Sequence, residues 1–203
     1  MILVVDLSYR PCSLSADEFV APIERIVRKE GYPCQVRHYS DLSQQDIVAA
    51  DGAILCGTAL KDSGYLDGME KFAWLPSFSL PMLGICAGMQ VLVRAYGGKV
   101  HPKVGIGMAE QQVVAPDPLL AGKDRFPAYE LHSLSVAQPT SFRVLGISPS
   151  GVQIIRHQYR PAYGVMFHPE VRNEWLIRRF LSLCRPRQET RNDPRYDEEE
   201  QEI

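Results

Sequence analysis

The chain is short of the features that would place it in a membrane, an oxidising compartment or on nucleic acid. None of its apolar runs approaches the roughly 18–20 residues needed to span a bilayer. Five cysteines (12, 34, 56, 86 and 184) are an odd number without CxxC spacing, which argues against both a disulfide framework and a zinc site. The formal net charge is only -2, so no broad basic surface advertises a nucleic-acid partner. The opening MILVVDLSYR lacks the basic start and cleavage site of a signal peptide and reads as a buried strand. A cytoplasmic location is the expectation. No internal repeat or low-complexity block is visible.

What remains is ordinary globular material. At 203 residues, 45% hydrophobic and 23% charged, the chain can bury a core of its own. Ile2–Val5, Cys34–Tyr39, Ala53–Leu55 and Met82–Ile85 read as strands of a mostly parallel sheet. Between them Asp17–Lys29 has helical apolar spacing, Tyr65–Leu75 is a weaker helical stretch, and Met89–Ala95 a stronger one ended by Gly97-Gly98. Strand–helix alternation of this kind implies right-handed crossovers and an α/β sandwich.

In the second half the β-rich segments are short. Val100–Val104, Glu110–Ala115, Ala128–Glu130, Leu134–Ala137, Phe142–Ile147, Val152–Arg156 and Tyr163–Phe167 are separated by Pro, Gly or polar residues. They read as antiparallel additions to the parallel core. Trp175–Leu183 is expected to be a final packing helix. The domain is therefore set at 1–184, followed at 185–203 by a charged tail expected to be disordered.

The most informative segment is Leu80-Pro-Met-Leu-Gly84-Ile-Cys86-Ala-Gly88-Met-Gln90. A strand runs into Gly84-x-Cys86-x-Gly88 and a helix follows, the arrangement of a nucleophile elbow with cysteine as the nucleophile. The glycines permit a sharp turn. The helix start favours thiolate over thiol, and its free N–H groups can stabilise an oxyanion. The competing reading of a lone buried cysteine is inert packing. Cys56 and Cys184 read that way, while Cys12 and Cys34 have no assigned role.

A cysteine nucleophile needs a base. His168 follows an apolar strand and opens His168-Pro169-Glu170, where Glu170 can hold the imidazole in the required tautomer. Pro169 restricts the backbone between them. His132, in Glu130-Leu-His-Ser-Leu134, is the main competitor as base. His38, His101 and His157 read as surface or strand residues.

Together these residues resemble the class I (triad) glutamine amidotransferase domain. Gly84-Ile-Cys86-Ala-Gly88-Met-Gln90 is similar to its GxCxGxQ motif, and His168-Pro169-Glu170 to its second signature. The resemblance runs from Ile2 to about Cys184. It implies a flavodoxin-like three-layer α/β sandwich with a mostly parallel central sheet, a Cys86–His168–Glu170 triad and a γ-glutamyl thioester on Cys86. It further implies that Gln90 contacts the substrate L-glutamine. His132-Ser133-Leu134 is similar to the HSL element of anthranilate-synthase-type glutaminases, so Ser133 and Leu134 are expected to hold the amino-acid end of glutamine through their backbone. The oxyanion amides would come from Ala87 and from Gly57 or Thr58. Two departures stand out: Gly57-Thr58-Ala59 replaces the usual Gly-Gly-Pro or Pro-Gly-Pro, and the first loop, Asp6–Leu14, is longer.

The resemblance implies no metal and no organic cofactor for glutamine hydrolysis. It implies a synthase partner subunit that receives the ammonia and contacts the face around Cys86, with no nucleic-acid or membrane partner. Gly97–Val100 and Phe180–Cys184 lean towards GMP synthase, and His132–Leu134 towards the anthranilate or aminodeoxychorismate enzymes. Two other readings stay open: a γ-glutamyl peptidase with the same triad, and a non-catalytic regulatory subunit.

Overall fold

A computed structural model describes residues 1–137 and 140–184. The charged segment 185–203, read above as a tail, lies outside the described residues. Parallel strands β1 (Ile2–Asp6), β2 (Cys34–His38), β3 (Gly52–Leu55) and β4 (Met82–Ile85) alternate with helical segments. Four antiparallel strands follow: β5 (Val100–Val113), β6 (Arg125–Val136), β7 (Phe142–Ser148) and β8 (Gly151–His157). The last strand, β9 (Ala162–Val165), returns to lie parallel to β4. The nine strands form one sheet in the order β2-β1-β3-β4-β9-β8-β7-β5-β6.

Side-chain alternation along the strands feeds two cores. Ile2, Val4, Ile54, Leu83 and Ile85 pack on one face with Ile23, Ile26 and Val27 of α2 (Ala21–Lys29). Leu176, Ile177, Phe180 and Leu181 complete that layer from the C-terminal helix Glu174–Leu183. Leu3, Val5, Leu55 and Met82 pack on the other face with Met89, Val91, Leu92 and Val93 of the helix Ala87–Ala95. The result is the three-layer sandwich expected from the alternating pattern.

Four local readings change. The helix expected over Asp17–Lys29 is two, α1 (Leu14–Phe19) and α2, because Pro22 is tolerated in a first helical turn but not in a helix interior. Tyr65–Leu75 is three 3-10 turns, Gly64–Leu66, Met69–Phe72 and Leu75–Ser77, interrupted by Gly68 and Pro76. A short helix, α3 (Gln44–Val48), was not expected; its capping box pairs the Ser43 hydroxyl with the Asp46 N–H and the Asp46 carboxylate with the Ser43 N–H. Finally, the four fragments read over Val100–Ala115 and Ala128–Ala137 are just two long strands forming the β5–β6 hairpin.

The functional consequence lies in the curl of the sheet. Its far edge, β6, returns to touch the segment after β9: Glu130 bridges Phe167, and His168 N–H donates to Tyr129 O at 2.9 Å. The parallel half carries the nucleophile and the antiparallel half roofs it.

Candidate active site

The helix Ala87–Ala95, now α4, starts directly from β4, and Cys86 is the residue at the junction. The glycines around it are required by close packing. A Cβ on Gly84 would stand 2.5 Å from the Gly88 carbonyl, and one on Gly88 would collide with Leu55 of β3. The strained conformation falls on the cysteine itself, at φ 49° and ψ −105°. It is held there by two bonds: Cys86 N–H donates to Val165 O at 2.7 Å, and Cys86 O accepts from Gln90 N–H at 3.1 Å. Ala87 occupies the first position of α4, where an N–H has no partner within the helix and can face a developing oxyanion.

His168 caps the four-residue helix α5 (Pro169–Arg172) and is fully buried. Its Nδ1 lies 2.7 Å from Glu170 Oε1, so Nδ1 carries the proton and Nε2 is the working nitrogen. Nε2 is buried without a hydrogen-bond partner. Burial disfavours the charged imidazole, but Glu170 and the nearby Cys86 sulfur more than reverse this and raise its pKa well above the ordinary histidine range. A Cβ on Gly57 would lie 2.6 Å from His168 Cε1, so that glycine makes room for the ring. Phe19 of α1 covers the ring from another side, with centroids 5.2 Å apart.

The other expected residues converge on the same place. A cleft lined by Thr58, Cys86, Ala87, Gln90, Ser133 and Leu134 adjoins the thiol. Its cavity volume is about 20 Å³, room for about one water. Ser133 closes it, with its hydroxyl donating to Leu60 O at 3.0 Å. The Thr58 hydroxyl is turned to Asp62 Oδ2 at 2.8 Å. Gln90 is engaged at both ends, accepting from the Tyr65 hydroxyl at 2.6 Å and donating to Leu134 O at 3.3 Å. Burial pushes the Tyr65 pKa up, which keeps its phenol a donor.

Three participants escaped the sequence reading. Leu131 presents its carbonyl to Cys86 Sγ at 3.6 Å, Tyr65 sets the orientation of the Gln90 amide, and Leu60 meets Ser133. Leu131 and Leu60 act through backbone oxygens, which carry no residue-type signal. Tyr65 had a possible signal in its place beside Gly64, but its partner Gln90 is 25 residues away. His132, the competing base, turns its ring onto β5, with Nδ1 3.1 Å from Lys103 O.

The remaining cysteines differ from Cys86 in setting. Burial pushes the Cys56 thiol well up, Cys34 to about 11 and Cys184 to about 12, so these sulfurs stay protonated. Among the described residues no group of three or more His, Cys, Asp or Glu side chains is placed to hold a metal ion. No helix among them is long and apolar enough to cross a membrane.

Known proteins place the same features in a family. The family model "Glutamine amidotransferase class-I" matches residues 15–181. One of the two subunits of the glutamine-hydrolyzing GMP synthase from Methanothrix thermoacetophila is 36% identical over 161 residues, covering 74% of this chain and 86% of the relative. Its counterpart from Pyrococcus abyssi is 34% identical over 138 residues, 63% of this chain and 72% of that one. In fold, the chain matches a candidate GMP synthase subunit from Thermoplasma acidophilum with a TM-score of 0.78 at 22% identity, over 91% and 94% of the two chains. With the sheet, the elbow and the family match in agreement, the chain belongs to the class I glutamine amidotransferases.

Proposed function

We propose that this chain is the glutamine-hydrolysing subunit of a GMP-synthase-type enzyme, with Cys86 as nucleophile, His168 as acid–base and Glu170 as the group that orients His168. The observation that carries the reading is the Cys86 elbow beside an imidazole whose far nitrogen is tied to Glu170 at 2.7 Å. The names of the similar proteins support the GMP-synthase assignment over the anthranilate one.

In this reading the Cys86 thiolate forms a bond to the side-chain amide carbon of glutamine, and the carbonyl electron pair moves onto oxygen. The N–H groups of Ala87 and the Gly57–Thr58 loop stabilise that oxyanion. His168 passes its proton to the nitrogen, the C–N bond breaks and ammonia leaves, with a γ-glutamyl thioester remaining on Cys86. Water then attacks the thioester while His168 takes its proton. The C–S bond breaks, and glutamate and the thiolate are released.

Glutamine is far larger than the present cavity, so the Leu60–Ser133 contact parts to admit it. The Ser133 and Leu134 backbone then holds the amino-acid end of the substrate. Gln90 serves the substrate through its grip on Leu134 O and on Tyr65.

The ammonia passes to a synthase partner docked over this face. The exposed apolar residues Val104, Ile106 and Met108 on β5, in register with β6, suit such a partner. A cytoplasmic setting fits five free thiols. Residues 1–184 form the catalytic domain, and the charged residues after them are a solvated tail.

Purifying the complex from its native source and measuring glutamate release with and without the partner tests the reading. Faster release in a complex with a nucleotide-aminating synthase is the expected result. A partner-free monomer that prefers γ-glutamyl peptides to glutamine would contradict it.

A further inference from the structure

A second polar cluster is buried on the opposite side of β6 from the thiol, and the mechanism above makes no use of it. Glu130 and His132 are each only 2% exposed, and Gln111 and Gln153 are fully buried. The Glu130 carboxylate accepts from Gln111 Nε2 at 2.9 Å and from the Ser150 hydroxyl at 2.5 Å. Ser150 in turn accepts from Gln153 Nε2 at 2.8 Å. His132 Nε2 lies 3.6 Å from the same carboxylate, while its Nδ1 faces Lys103 O. The β5 strand yields space for the pair at Gly105, which stands opposite His132 in the register. A Cβ there would lie 2.5 Å from Glu130 Oε2 and would press into the imidazole.

Such a cluster is a poor way to gain stability. Burying polar groups costs free energy unless each is paired, and His132 Nε2, Gln111 Oε1, Gln153 Oε1 and Ser135 Oγ have no partner. Well-packed apolar side chains would serve a core at least as well. The reverse side of the same strand shows what the cluster accompanies. There Tyr129 O accepts from His168 N–H, Leu131 O faces Cys86 Sγ, Ser133 reaches Leu60 and Leu134 O holds Gln90. Leu131, the residue over the sulfur, sits between the two anchored side chains.

We infer that Glu130 and His132 are positioning residues for glutamine hydrolysis, pinning the Tyr129–Leu134 stretch of β6 from behind so that its front meets the thiol and the substrate. Anchors on β5, on β8 and at the turn between β7 and β8 give the strand one height over Cys86. The inference rests on the glutaminase reading for its kinetic consequence, but its structural content is independent of turnover.

Two variants test it: Glu130→Gln, which keeps the shape and removes the charge, and His132→Asn, which keeps a donor towards Lys103 O but withdraws the ring from Glu130. Each is assayed for glutamine kinetics and for iodoacetamide labelling mapped by cysteine. Both are expected to raise the KM for glutamine about tenfold with a smaller change in kcat, because a roof displaced by a fraction of an ångström misplaces the substrate. Cys86 should alkylate several-fold faster, while exposed Cys12 labels at the wild-type rate and buried Cys56 and Cys184 stay unlabelled.

Unchanged KM and unchanged Cys86 labelling in both variants would overturn the inference. If Cys56 and Cys184 also became labelled, the substitution would have opened the whole fold. Ser150→Ala, which removes one bond to Glu130, then serves instead: faster labelling confined to Cys86 supports the inference and wild-type labelling overturns it. If the wild-type protein released no glutamate from glutamine, the glutaminase reading would fail, and the Cys86 labelling contrast would still decide whether the pair holds the strand.

Discussion

Two buried histidine–glutamate pairs, each with its members two residues apart, flank β6. They are put to different uses. In His168–Glu170 the contact is 2.7 Å, because Pro169 and the first turn of α5 fold the two side chains together. In His132–Glu130 both residues lie on one face of a strand, where i and i+2 project side by side, and the gap is 3.6 Å. Glu170 keeps one carboxylate oxygen without a partner and spends its charge on the imidazole, whose other nitrogen is open towards the nucleophile. Glu130 spends its charge on amide and hydroxyl donors. Residue type alone therefore does not make a catalytic pair. An imidazole nitrogen with a clear path to sulfur does.

The largest effect expected from this contrast separates the two histidines. His168→Asn should lower kcat by about 10³-fold, the usual worth of a general acid–base group, with little change in KM. That is opposite to the KM effect expected of His132→Asn, and steady-state ammonia release distinguishes them. Comparable kcat losses in both variants would make the pairs equivalent and break the comparison.

Each ring also has a glycine that admits it, and the two glycines should fail differently. In Gly57→Ala the new methyl meets His168 Cε1, so kcat is expected to fall about 100-fold through a displaced base. In Gly105→Ala the methyl meets Glu130 and His132, and the expected cost is about 1–3 kcal/mol of stability, read from the urea midpoint. Equal stability losses with equal kcat would erase the distinction.

The smallest effect is on acid stability. Burial opposes the charge on Glu130, but donors from His132, Ser150, Gln111 and Ser148 hold its pKa down at about 2 from an ordinary 4.5. These donors stabilise the ionised form, so the contribution is present above the ordinary value and is lost as pH falls from 4.5 towards 2. Denaturation midpoints should fall less steeply across that window in Glu130→Gln than in the wild type. Parallel curves would show that the network does not hold the charge.

The legible parts of the molecule were those whose partners are close in sequence. Gly84, Cys86 and Gly88 describe one turn, and His168, Pro169 and Glu170 one helix start, so spacing alone revealed them. Strand periodicity likewise placed β1 to β4 within a residue or two. Boundaries failed where apolar spacing was allowed to outweigh a local signal, as at Pro22 and at Gly68. Gly105 and Gly107 made β5 read as two pieces, although Gly105 is there to admit His132. The β6 roof was hidden for a different reason: it works through backbone carbonyls, and its anchors come from strands about 20 residues away in the chain. Ser133 and Leu134 reached the cleft through resemblance, and Tyr65 and Leu131 had no such route.

The central claim is that Cys86 carries the γ-glutamyl group. Rapid acid quenching of the enzyme with isotopically labelled glutamine, followed by mass mapping of the Cys86 peptide, tests it most directly. The account predicts a labelled γ-glutamyl adduct on Cys86 that forms within one turnover, decays to glutamate and is absent from Cys86→Ala, which makes no ammonia. Ammonia release by Cys86→Ala at the wild-type rate would contradict the account.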